Sequence, residues 1–201
     1  GLTHIAPNTQ LTIIVILVVA AIPSIYLFVR NLDQIVDFAH ENWAVLVVAE
    51  ALFIGFFLAW LAIVSEVPAI NHTEKPMDLG FMNAVLQSRF FPVEDPWLSG
   101  NNISYYYFGY WMLGAVSEIS GVPSNYSYNL SLALIPALGA MGLFGLVFAM
   151  ARSDGARWKF AVFTGVAAGV VVGIIGNLVC VLEFMRANAI RRQGLYAWLS
   201  L

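Results

Sequence analysis

Charge is what this 201-residue chain has least of: 10% of its residues are Asp, Glu, Lys or Arg, against roughly 25% in ordinary soluble domains. That scarcity excludes a typical water-soluble globule. Cysteine occurs once, at Cys180 in an apolar stretch, so no internal disulfide is available and packing is its natural role. The nine Lys and Arg form no basic run and the net charge is -3, which excludes a surface built to track a phosphate backbone and leaves no nucleic-acid partner. His4, His40 and His72 all fall outside the apolar runs, so ligation of haem or chlorophyll by histidine inside a bilayer has nothing to rest on.

What remains is hydrophobic: 60% of the residues are apolar. The pattern predicts an all-α, multi-pass transmembrane helical bundle of about five spans, each needing roughly 20 apolar residues. The spans are expected at 11–29, 43–64, 103–122, 128–151 and 160–182, with Arg30 to Asn42 as a polar connection. The whole chain reads as one integral-membrane domain and as part of a longer protein. Gly165, Gly169 and Gly173, and separately Ala51, Gly55 and Ala59, form small-residue stripes expected to face other helices. Glu50 interrupts the second run and calls for a partner or a wet cavity. Positive charge is divided four against five between the two sides, which leaves orientation open.

The polar loop 65–102 holds seven of the 21 charges and four of the eight prolines. Connections of that length usually carry function. Inside it, Pro76 to Arg89 reads as a short amphipathic helix lying at the membrane interface, with Leu79, Met82, Val85 and Leu86 at helical spacing and Asn83 and Gln87 opposite. Glu74, Asp78, Glu94 and Asp95 stand beside Lys75 and Arg89. Carboxylates without cysteine suit a hard cation, Mg²⁺ or Mn²⁺, better than zinc, and the two basic residues suit phosphate oxygens. The same charges also read as the solvated part of a hydrophobic protein, with Asp78 as a helix cap.

Glu74-Lys75-Pro76-Met77-Asp78, Phe81-Met82-Asn83, Asp95-Pro96-Trp97 and Tyr105-Tyr106-Tyr107-Phe108-Gly109-Tyr110 follow in order. Tyr128-Asn129-Leu130 and Gly176-Asn177-Leu178 come after them. This string resembles the signature of a family of multi-pass membrane proteins of archaea and green non-sulfur bacteria known by its Tyr-Tyr-Tyr motif. That family in turn resembles the C-type glycosyltransferases, which move a sugar from a polyprenyl-phosphate carrier. The resemblance implies a prokaryotic plasma-membrane enzyme with Asp78, Asp95 and Glu74 as catalytic candidates, Asp78 and Asp95 as ligands of a divalent cation, and Lys75 and Arg89 on the phosphate. Tyr105, Tyr106, Tyr107 and Trp97 would then contact the sugar or its carrier, although Tyr and Trp also form interfacial belts without any substrate. The competing reading is a non-catalytic structural or assembly subunit of a larger membrane complex, such as an energy-transducing one, whose partners are lipid and other membrane subunits. A transporter built around Glu50 comes third.

Overall fold

The computed structural model describes residues 7–71 and 74–175. The expected motif at Gly176, the end of the fifth span, Cys180, His4 and His72 lie outside the described residues. Within them the chain is all-helical, as expected: α1 (Gln10–Arg30), α2 (Leu32–Glu66), α3 (Lys75–Gln87), α4 (Tyr107–Ser120), α5 (Ser124–Ser153) and α6 (Trp158–Ile175). Three of these, α1, α2 and α5, are long and apolar enough to cross a membrane. No residue of α1 is buried. Its N-terminal end meets α4, the Gln10 side-chain amide donating to the Glu118 carbonyl at 2.9 Å.

Two expectations change. The polar stretch Arg30 to Asn42 is helical: only Asn31 separates α1 from α2, its side-chain amide bonding the Leu27 carbonyl at 2.7 Å. Polarity suggested a loop, but no glycine or proline lies between Asn31 and Ile54 to stop a helix. Asp33 in the first turn of α2 also favours the helix dipole. The second change concerns the expected span 103–122, which is realised as α4, a helix of 14 residues. At 1.5 Å per residue it is about 21 Å long, short of the roughly 30 Å hydrocarbon core.

The chain divides into two compact units, one of residues 1–43 and 67–132, the other of 44–66 and 133–201. In the first, Phe81 and Val85 of α3 pack with Val93 and Ile103 of the following loop, and Met77, Tyr107, Tyr110 and Trp111 close around them. Val93 and Ile103 meet because the loop folds back on itself, Ile103 N–H donating to the Val93 carbonyl at 2.9 Å and Asp95 N–H to the Asn101 carbonyl at 2.8 Å. The apolar face of α3 is thus covered by protein. Its last carbonyls, orphaned by the helix end, are met by Asn8, whose side-chain amide donates to Val85 at 2.8 Å and Ser88 at 3.2 Å. Between α4 and α5 a buried serine relay forms: Ser127 donates to the Ser117 hydroxyl at 3.0 Å, and Ser117 donates to the Val122 carbonyl at 2.6 Å.

In the second unit, α6 lies close on α5. A Cβ placed on Gly165 would stand 2.9 Å from the Phe144 carbonyl oxygen, and one on Gly169 would stand 2.8 Å from that of Ala140. Gly173 abuts the Phe56 ring of α2. The glycine stripe of α6 therefore faces neighbouring helices, as expected. Ala51, Gly55 and Ala59 of α2 are exposed among the described residues, with nothing described within 4 Å of a Cβ on Gly55. Glu50 is exposed on the same helix.

Gly169→Val is expected to lower the unfolding free energy by about 1–3 kcal/mol, because the added carbons meet backbone that cannot rotate away. Gly142→Ala, with open space at its Cβ, should be neutral or stabilising by up to about 1 kcal/mol. Thermal unfolding of the two variants in detergent checks the contrast.

Candidate functional site

Asp78 stands in the first turn of α3, just after Pro76, which is pre-set for a helix start. Its carboxylate is gripped from both sides. The Tyr110 hydroxyl, from α4, donates to Oδ1 at 2.6 Å, and the Tyr128 hydroxyl, from α5, donates to Oδ2 at 3.2 Å. Tyr128 is 4% exposed, so its phenol has few other partners to choose from. Burial, followed by the hydrogen bond to Asp78 and the charge of that carboxylate, raises the Tyr110 pKa well above its ordinary value.

Glu74 lies one turn before Asp78 on the same face, exposed, with its carbonyl accepting the Asp78 N–H at 2.9 Å. Tyr105 is close enough to both acids to respond to them: partial burial first, then Glu74, Tyr106 and Asp78, push its phenol pKa upward. Tyr106 takes a left-handed conformation, φ 31° and ψ 24°, at the entry to α4. Such a backbone is uncommon for a bulky residue. The turn leaves its ring 77% exposed and edge-on to Tyr105, with centroids 4.5 Å apart. Tyr107 instead turns inward against Phe91 and the core.

The other expected residues are engaged elsewhere. Lys75 Nζ reaches the Val67 carbonyl at 3.4 Å. Asp95 Oδ1 accepts the backbone N–H groups of Trp97 at 2.8 Å and Leu98 at 3.1 Å, a side-chain-capped turn. Arg89 sits over the Phe90 ring, 5.6 Å from its centre. Arg89 and Asp95 line a cavity of about 710 Å³ with Gly80, Asn83, Gln87 and Glu94. At about 100° per residue, Gly80, Asn83 and Gln87 lie about 140–200° around α3 from Asp78, on the opposite face. Among the described residues, no three Asp, Glu, His or Cys side chains gather.

Tyr110 and Tyr128 stand in the tyrosine-rich and Tyr-Asn-Leu motifs, yet nothing in the sequence marks them as partners of Asp78. The available signal was that a phenol set in an apolar helix needs a polar partner, but partners 32 and 50 positions away leave no local spacing to read.

A family model for uncharacterized membrane proteins (DUF2298) matches residues 1–200. The chain belongs to this family. Membership agrees with the three helices long and apolar enough to cross a bilayer. Comparison with curated proteins and with solved structures gives no match.

Tyr110→Phe is expected to cost about 1.5–3 kcal/mol, the range for a hydrogen bond to a charged group. A phenol whose pKa is higher in the fold than in the unfolded chain contributes stability that is fully present below about pH 10 and lost as pH rises toward the folded value. Wild-type stability should therefore decline above about pH 10, and the decline should be shallower in Tyr110→Phe, as read by chemical denaturation across that range.

Proposed function

We propose that the protein is a multi-pass membrane enzyme of a prokaryotic plasma membrane, similar in chemistry to the C-type glycosyltransferases, and that Asp78 is its general base. The observation that carries this reading is the Asp78 carboxylate fixed between two phenols, beside the exposed rings of Tyr105 and Tyr106. The ordered motifs around Asp78 and the tyrosines add the resemblance to polyprenyl-phosphate-dependent enzymes.

In the proposed step the acceptor hydroxyl gives its proton to Asp78 as its oxygen bonds to the anomeric carbon of the sugar. The bond from that carbon to the carrier phosphate breaks, and its electron pair leaves on the phosphate. Tyr110 and Tyr128 hold the carboxylate oriented and leave each oxygen a further lone pair with which to accept. Those lone pairs also suit Mg²⁺ or Mn²⁺, which commonly binds through one or two carboxylates and substrate phosphate; Asp78, with Glu74 one turn away, would hold it. Such a cation would neutralise the leaving phosphate. Tyr105 and Tyr106 offer faces on which a sugar ring or the first isoprene units would pack.

The test is sugar release from a radiolabelled polyprenyl-phosphate hexose by the protein in liposomes, with Mg²⁺ or with a chelator. Asp78→Asn should reduce transfer by about 10²–10⁴-fold with helical content unchanged, and chelation should reduce it too. Transfer that is indifferent to Asp78→Asn, or absent with every such donor, would refute the proposal.

A further inference from the structure

The cavity on the far face of α3 has no role in the chemistry at Asp78. It is about 710 Å³, within the range of small-molecule sites, and its walls come from α3 and from residues 88–96 that fold back beside it. Asn83 and Gln87 contribute amides, each with donors and an acceptor, Arg89 contributes donors only, and Glu94 and Asp95 contribute acceptors. Among the described residues, the side chains of Asn83, Gln87 and Glu94 make no hydrogen bond, and Asp95 uses only Oδ1, to hold its own turn. The lining is therefore rich in free donors and acceptors of both kinds.

Its charge balance narrows the ligand. Two carboxylates against one guanidinium leave one net negative charge, which opposes phosphate and other anions. Hydroxyl groups, which donate and accept together, match the mixture. A hydrophobic surface is also at hand: the Trp97 indole, 66% exposed, rests on the cavity residue Gly80, where a Cβ would stand 3.3 Å from the indole nitrogen. Aromatic faces of this kind pack against the C–H faces of pyranose rings.

We propose that this cavity binds a neutral, hydroxyl-rich ligand, a saccharide presented either free or as a lipid head group. Binding here needs no transfer at Asp78, so the two proposals stand or fall separately. The full chain is reconstituted in phosphatidylcholine nanodiscs. Calorimetry with maltotriose, and native mass spectrometry after addition of digalactosyldiacylglycerol, separate the free from the lipid-borne source. At least one probe should bind. The affinity should fall roughly tenfold or more in Asn83→Ala/Gln87→Ala, which removes two polar partners, and measurably in the single exposed-site variant Gln87→Ala, which guards against misfolding of the double one. Inorganic phosphate should neither bind nor compete. The proposal is overturned if neither saccharide binds, if both variants bind as wild type does, or if phosphate displaces the sugar.

Discussion

A carboxylate in a chain this apolar has to be satisfied by specific partners, and Asp78 is satisfied by two phenols from two other helices. That requirement organises the first unit. Tyr110 reaches Asp78 because α4 packs along α3, and α4 packs there because Phe81 and Val85 need Tyr110, Trp111, Val93 and Ile103 to cover them. Tyr128 reaches it because the tight turn at Gly121, φ 67°, and the Ser117–Ser127 hydroxyl pair return the chain as α5. Asn8 secures the other end of α3. A half-buried carboxylate has lost part of its water and gains from donors held in place of it, so both phenols are structural supports as well as parts of the candidate site.

The second unit follows a different rule. Where lipid replaces water there is little hydrophobic gain in bringing helices together, and close approach of small residues supplies packing instead. Gly165 and Gly169 of α6 lie almost on the α5 backbone.

How much of this was legible beforehand depended on whether the signal was local. The long uncharged runs announced α1 and α5, and the apolar spacing after Pro76 announced α3 almost to its ends, because composition and periodicity act over one helix. Arg30 to Asn42 misled because polarity was weighed above the absence of helix breakers. The aromatic run from Tyr105 looked like the start of a long span, yet Tyr106 bends the chain into a left-handed turn and α4 begins only at Tyr107. Asp78 is identifiable as a candidate from its motif, whereas the pairing of Tyr110 and Tyr128 with it is not, since contacts across 32 and 50 residues depend on tertiary packing alone.

The central claim is that Asp78 and Tyr128 are energetically joined. A double-mutant cycle of Asp78→Asn and Tyr128→Phe, read as unfolding free energies in one detergent, tests it most directly because it cancels what each change does alone. The geometry predicts a coupling of about 1.5 kcal/mol or more, of the size expected for a hydrogen bond to a charged group. Strictly additive effects, with a coupling near zero, would contradict it.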